Sequence, residues 1–440
     1  MKETIIQFGE GGFLRGFADM FIHQMNEKGV YEGKAVVVQP IEQGLISVIN
    51  EQEGVYHQFL RGINNNEIVD ECTKVRAISR GVNPYTDYEE YLKLAHNPDM
   101  RIIISNTTEA GIEFLGTESI TDKPPKSFPA KLTVLLHERF KAGLPGFIIL
   151  ACELIDNNAD FLKKYVMQYA KLWKLSDEFV QWIENDNHFC NTLVDRICTG
   201  YPKDEEESLT ERLGLVDKLM NTAEIFHLWV IEGDFEDEFP LKKAGVNVIW
   251  TDDVTPYKRR KVRILNGGHT SMVLGARLYG LSTVGECMKD EVTKAFLRKA
   301  VFEEIIPTLG KKEEDIQFGN AVMERFSNPF VKHQLLSIAL NSVSKFKARV
   351  LPTIIEYYEK NGVLPECLTL SLAALICFYR GEESNDIAEI MEYMKTASVS
   401  DILAKEEYWG IDLSFMYEKV ASMVKCIEER GMEAAFREVL

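Results

Sequence analysis

The sequence predicts an α/β protein in two parts, a doubly wound sheet domain over residues 1–255 and a mainly α-helical domain over residues 256–440. Three observations predict it. A short apolar strand, Thr4-Ile-Ile-Gln-Phe8, runs straight into the turn Gly9-Glu10-Gly11-Gly12, then into a helical pattern through Phe17, Met20, Phe21 and Met25, then into a second apolar strand, Ala35-Val-Val-Val-Gln39. Two further apolar runs of strand length, 101–106 and 146–152, each end in a polar cluster, the pattern of buried parallel strands whose C-terminal ends face a ligand. Beyond Asp252-Asp253 and Pro256 the strand signals stop, and helical periodicity continues to the end with breaks at Pro307, Pro329, Pro352 and Pro365.

Each element has its own justification. The first β–turn–α–β unit has the length and order of a Rossmann-like dinucleotide site. Its glycines let the backbone turn tightly and approach a pyrophosphate at the helix N-terminus. Phe8, Gly9, Gly11, Gly12, Phe13 and Arg15 are therefore candidate cofactor contacts, against the alternative of a simple tight turn. The ribose grip expected at the end of the second strand falls to Glu42, three residues after Gln39, and the lack of an adjacent arginine favours NAD over NADP. The strand 101–106 leads into Asn106-Thr107-Thr108-Glu109, from which Asn106 and Thr107 are further cofactor candidates. A helix is expected over 129–140, a strand over 146–152 ending in Glu153 to Asn158, and one long helix over about 159–184 with Trp173 and Trp182 as core residues. Asp195-Arg196 reads as a close pair, either structural or in touch with substrate. An acidic helical stretch to about 222 and strands at 225–231 and 246–250 complete the first part.

Composition narrows the function. With 45% hydrophobic and 27% charged residues in 440, the chain reads as a soluble globular protein with a large core. A net charge of −18 with one short acidic run, Asp204-Glu-Glu-Glu207, argues against a nucleic-acid partner. It leaves room for a small anionic substrate held by a local cluster of cations. No apolar run has the roughly 20 residues of a membrane span, and no signal-peptide pattern opens the sequence. The eight cysteines form no CxxC pair and suit a reducing compartment, so a cytoplasmic location is expected. Oligomeric state is open between a monomer and a small homo-oligomer.

The chemistry concentrates in Lys261-Val-Arg-Ile-Leu-Asn266-Gly-Gly-His269. On an α-helix at about 100° per residue, Asn266 lies roughly 140° and His269 roughly 80° from Lys261, so an amine, an amide and an imidazole share one arc. Gly267-Gly268 in that arc costs a helix about 1 kcal/mol per glycine, which suggests a close approach of something to the backbone; the plainer alternative is a polar helix face. Next to a dinucleotide domain, at the expected seam between domains, the set suits hydride transfer at an oxygen-bearing carbon. Lysine can act as base when burial and a nearby cation bring its pKa down from about 10.4. The amide would stabilise the oxyanion, and His269 would orient substrate or lysine. No HxxxH pair, Cys/His knuckle or GxSxG appears, so neither a metal nor a serine nucleophile is expected.

On these residues the chain resembles the long-chain, metal-free polyol dehydrogenases of the mannitol 2-dehydrogenase family. The family's K-x4-N-x2-H motif stands as Lys261, Asn266 and His269, and its GxGxFxR loop as Gly9, Gly11, Phe13 and Arg15. Segments such as Ser105-Asn-Thr-Thr-Glu-Ala-Gly-Ile and Cys152-Glu-Leu-Ile-Asp are most similar to its uronate-reducing branch, in a likeness that covers nearly the whole chain. The resemblance implies NAD-dependent interconversion of D-tagaturonate and D-altronate in hexuronate catabolism, with Lys261 as acid/base and Asn266 in the oxyanion hole. It also implies a second oxyanion amide after the strand ending at Cys152, for which Asn158 is the candidate because Leu154 holds the nearer position. Where the family carries R-x-A-x-D-G-S-x-K, this chain reads Ser337 to Lys345, and Lys258 replaces a glutamate three residues before the lysine. A uronate brings a carboxylate that needs a cation; Lys345, His333 and Lys332 are the candidates. Fructuronate/mannonate or mannitol as substrate, and an NAD(H)-binding sensor without turnover, are the alternatives.

Overall fold

In the computed structural model, which describes residues 1–64, 67–108 and 110–440, the strand β1 (Lys2–Phe8) lies inside a six-stranded parallel sheet. Its neighbours are β2 (Gly33–Val38) and β6 (Ile102–Ser105), with β5 (Ile78–Val82) outside β2, and β7 (Ile148–Ala151) and β8 (His188–Cys190) outside β6. The order is β5-β2-β1-β6-β7-β8, so the chain reverses direction across the sheet between β1 and β6. That reversal leaves a crevice at the strand C-termini.

Strand alternation divides the core in two. Ile5, Ala35, Val37, Ile102, Ile104, Ile148 and Leu150 face one cluster with Phe17, Phe21 and Met25. Ile6, Val36, Val38, Ile103 and Ile149 face the other, where Leu132, Leu135, Leu162 and Val166 cover them. Period-2 packing with apolar residues on both sides is the reason these strands read as unbroken apolar runs.

The expected first helix is two. The short α1 (Gly12–Gly16) stops at Phe17, whose φ −123° and ψ −89° break the turn before α2 (Ala18–Glu27). The expected long helix at 159–184 also divides, into Asn158–Leu172 and Asp177–Asp186. Lys174 at φ 54° separates them, and Ser176 caps the second by accepting the Phe179 N–H. Trp173 and Trp182 are packing residues: the first donates to Glu118 O, and the second lies against the core.

Two small sheets lie outside the main one; strands were expected at 225–231 and 246–250, but not their grouping into a separate sheet, nor the second sheet. β10 (Cys198–Gly200), β11 (Asn221–Glu224), β3 (Tyr56–Asn64) and β4 (Glu67–Val75) form one; β13 (Val248–Thr251), β12 (Leu228–Glu232) and β9 (Thr192–Asp195) form the other. The acidic helical stretch is confined to Glu206–Leu213, because β10 and β11 take up residues on either side. Arg196 is structural. It is 7% exposed and donates to Gly16 O, Ile225 O and Phe226 O, tying α1 to the segment between β11 and β12.

The chain divides into two compact units, Met1–Arg61 with Ile68–Val254, and Gly62–Glu67 with Thr255–Leu440. The second is helical. Its central helix, Glu366–Tyr379, is buried on nearly every face and packs against the helices Gly267–Tyr279 and Tyr417–Arg430. Pro352 sits in the first turn of Leu351–Asn361 and Pro365 caps Glu366–Tyr379, so these prolines start helices where their missing N–H costs nothing. No described helix is long and apolar enough to cross a membrane.

Candidate active site

In the first unit the glycine turn sits at the β1–β6 crevice. Gly9 has φ +120°, and a Cβ there would lie 2.7 Å from Asn106 O. Gly12 and Gly16 are required by the protein's own packing, since side chains there would strike Asn221 at 2.7 Å. Gly11 is different. It N-caps α1 with no side-chain cap, its φ is −68°, and nothing lies within 4 Å of where its Cβ would be. The backbone at Gly11 is therefore open to a ligand, and the first-turn N–H groups of α1 need an acceptor.

Beside the turn is a cavity of about 460 Å³ lined by Phe13, Asn106, Thr108, Ala110 and Leu154, side chains from beyond the ends of β1, β6 and β7. Phe13 stacks on Phe17 at 5.1 Å. Asn106 donates through Nδ2 to Cys152 O at 2.6 Å, which joins the ends of β6 and β7. Thr107 is held by Glu153, whose carboxylate accepts its N–H and hydroxyl and the Ser105 hydroxyl, each at 3.0 Å. Burial raises the Glu153 pKa, and those hydrogen bonds oppose the rise. Glu109 lies outside the described residues.

Several expected contacts point elsewhere. Phe8 is fully buried, packed between Tyr91 and Phe128, so its side chain belongs to the core. Arg15 is 4% exposed, donates to Leu219 O at 2.8 Å and lies over Tyr56; its guanidinium is turned into the protein and not toward a phosphate. Glu42 is exposed in the loop after β2, where its carbonyl accepts from Gln39. Glu10, which the sequence did not single out, reaches that loop by accepting the Leu45 N–H at 2.9 Å. Asn158 does not offer an oxyanion donor. It is 1% exposed, its Nδ2 donates to Glu153 O and Thr192 O, and its Oδ1 accepts from Thr192 N and Ala159 N. Both ends of the amide are consumed in joining β7, β9 and the following helix.

In the second unit, Lys261 ends the helix Thr255–Lys261, a π-helical segment Val262–Asn266 follows, and the helix Gly267–Tyr279 continues. The Gly267 N–H bonds back five residues to Val262 O. In a π segment the repeat is i→i+5, the spacing of Lys261 and Asn266. These two therefore lie closer to one line than the 140° of a regular helix. The Asn266 side chain is half-buried and does not cap the helix that follows.

Gly267, the first of the two glycines, has an internal cause, whereas Gly268 meets only ordinary contacts. A Cβ on Gly267 would lie 3.0 Å from Arg349 O, and one on Gly268 would meet Leu297 and Val301 at 3.4 and 3.5 Å. At Gly267 the close approach expected of a ligand is made by the end of the helix Ser342–Arg349.

His269 is 9% exposed and stacks face to face on Phe326, centroids 3.8 Å apart, with His333 edge-on at 5.3 Å. Its Nε2 is buried without a hydrogen-bond partner. Burial, reinforced by His333, Arg325 and Arg349, holds its pKa well below the ordinary value, so the ring is neutral at neutral pH. Lys345 donates to Ile338 O at 2.9 Å, and Lys332 is exposed. Phe326, Arg325 and Arg349 were not expected; the signals in the sequence were an aromatic at a helix end and cations spaced Lys345–Arg349. The described residues hold no group of three or more His, Cys, Asp or Glu side chains placed for a metal ion.

Comparison with known proteins then decides the lineage. The mannitol dehydrogenase Rossmann domain matches residues 3–243, and the mannitol dehydrogenase C-terminal domain matches residues 253–430. The chain belongs to the mannitol dehydrogenase family. Altronate oxidoreductases from Escherichia coli O7:K1 and from Shigella flexneri are each 44% identical to it, over 99% of this chain and 96% of theirs. A D-sorbitol dehydrogenase in substrate-free form superimposes with a TM-score of 0.88 at 24% identity, covering 99% of this chain and 95% of that one. A Pseudomonas fluorescens mannitol 2-dehydrogenase, solved with NAD and D-mannitol, gives 0.75 at 23% identity, over 100% and 94%. At such identities the structural likeness speaks for the family's fold, a Rossmann domain followed by a helical one.

Proposed function

We propose that this mannitol dehydrogenase family member interconverts D-tagaturonate and D-altronate with NAD(H), acting on small-molecule substrates in the cytoplasm. The observation that carries the chemistry is the Lys261–Asn266–His269 set on its π-interrupted helix, with a neutral His269 whose Nε2 is unsatisfied. The identity to altronate oxidoreductases over nearly the full chain supports the substrate class.

The first unit fits a dinucleotide: Gly11 is open, α1 lacks a side-chain cap, and the cavity beside Phe13 has room for a ring. A bound nicotinamide cofactor supplies the hydride acceptor in one direction and the donor in the other. Gly9 and Gly11 would bring backbone to its phosphates, and Phe13, Asn106 and Thr108 would line the space beside them. In the oxidative direction Lys261 takes the proton of the substrate hydroxyl. Asn266 donates its amide to the alkoxide as charge develops, an interaction that gains strength when water is excluded. Neutral His269 offers Nε2 to a substrate hydroxyl or to the lysine, held in plane by Phe326. In reduction the same lysine returns the proton to the carbonyl oxygen. The eight cysteines are all unpaired thiols, which supports a reducing compartment.

The test is a substrate panel of D-tagaturonate, D-fructuronate and D-fructose with NADH and NADPH. D-Tagaturonate with NADH is expected to dominate; preferred turnover of fructuronate or fructose would overturn the substrate assignment. Lys261→Ala is expected to abolish turnover while NADH still binds, and unimpaired turnover would remove Lys261 from the mechanism.

A further inference from the structure

The helix Ser342–Arg349 presents Lys345 and Arg349 four residues apart, on one face. Its C-terminal end lies against the first turn of the helix Gly267–Tyr279, where Arg349 O comes within 3.0 Å of a Cβ built on Gly267. That contact sets Arg349 one helix away from His269 and its stacked partner Phe326. Burial alone acts on the Arg349 guanidinium, and no carboxylate among the described residues offsets it. The neighbouring charges that act on His269, from His333, Arg325 and Arg349, are all positive or titrate to positive. One carboxylate acts on Lys345, that of Asp386, and it already accepts the Tyr379 hydroxyl at 2.6 Å.

Arg349 is half-buried, and a guanidinium partly taken from water without a counter-charge gains from an anion that completes it. Two more deeply buried arginines of this chain are completed internally: Arg263 by Glu356 and Thr353, and Arg139 by backbone carbonyls. Arg349 stands out by that comparison. A planar fork of N–H donors suits a carboxylate, to which it can donate two parallel hydrogen bonds.

We propose that Arg349, with Lys345 beside it on the same helix, binds the carboxylate of the uronate or aldonate substrate and so determines specificity for acids over neutral sugars. The assignment rests on the functional reading above. It replaces Lys332, which is exposed, and gives Lys345 a supporting place.

The experiment compares the full-length protein with Arg349→Met and Arg349→Lys, measuring NADH-dependent reduction of D-tagaturonate and of a neutral 2-ketohexose, with thermal melts and NADH titrations as fold controls. Arg349→Met is expected to lower the ratio of kcat/KM for the uronate to that for the ketohexose by about 30-fold or more, mainly through KM for the uronate. Arg349→Lys, which keeps the charge but loses the fork, is expected to recover part of that ratio. An unchanged ratio in a folded, NADH-binding Arg349→Met protein would overturn the assignment alone. Wild-type protein that reduces no uronate would overturn the functional reading and this assignment together.

Discussion

Replacing Asn158 with alanine separates two roles that one amide can play. The substitution removes hydrogen bonds to Glu153 O, Thr192 O and Thr192 N, while Ala159 N keeps its second acceptor, Asn191 Oδ1. A buried polar group stripped of its partner costs about 1–3 kcal/mol. Three such groups at the lower end give a loss of about 3 kcal/mol for Asn158→Ala. For a unit of this size, each kcal/mol moves Tm by about 2–4 °C, so a drop of about 6–12 °C is expected. Losing an oxyanion donor has a different signature, a fall in kcat of about 100- to 1,000-fold. Melting curves paired with kcat measured well below the melting range tell the two apart. The expected result is a lowered Tm with kcat within about threefold of wild type, the reading of Asn158 as a structural amide. A 100-fold lower kcat with Tm unchanged would refute it.

Other outcomes follow from single positions. Gly11→Ala faces open space at a φ any residue adopts, so Tm should hold while KM for NADH rises about tenfold if the methyl intrudes on the proposed approach of the pyrophosphate; an unchanged KM would place the nucleotide elsewhere. Gly268→Ala meets only ordinary contacts and should stabilise by up to about 1 kcal/mol through helix propensity, whereas Gly267→Ala crowds Arg349 O and should destabilise. A large KM effect in Gly268→Ala would restore a ligand to that backbone. Asp19, fully buried, has its pKa pushed up to about 7 by desolvation, against hydrogen bonding from Gln7 and the nearby Arg15. From about pH 4 to pH 7 the folded state holds a proton that the unfolded state has released, so this group lowers stability as pH rises through that window, by at most about 4 kcal/mol. Urea midpoints at pH 5 and pH 8 should therefore diverge less in Asp19→Asn than in wild type, and equal divergence would exclude Asp19 as the source.

The central strands and the glycine turn were legible because β1, β2, β6 and β7 are buried on both faces and read as plain apolar runs. β4 is mostly exposed along its length, so it shows no apolar face and passes for loop. Sequence spacing singled out Lys261, Asn266 and His269 as candidates but assumed a uniform helix, which the π segment is not. It could not distinguish an amide spent on backbone, such as Asn158, from one aimed at a ligand, nor an arginine folded inward, such as Arg15, from one facing a phosphate. Arg349 was passed over because a lone arginine near the end of a polar helix normally sits in solvent; only the neighbours it lacks give it meaning.

The π segment at Val262–Asn266 has a consequence for how this site tolerates change in chain length. A π turn is a helix carrying one residue more than regular winding needs. Deleting a single residue between Lys261 and Asn266 would let the backbone relax into unbroken α-helix with every hydrogen bond remade. The fold would lose little, and the lysine and the asparagine, then four residues apart, would stand roughly 40° from each other on a regular helix, still close to one line. What keeps the amine and the amide in register is the match between their spacing and the local winding: five residues suit the π turn, whereas five on a regular helix would set them roughly 140° apart.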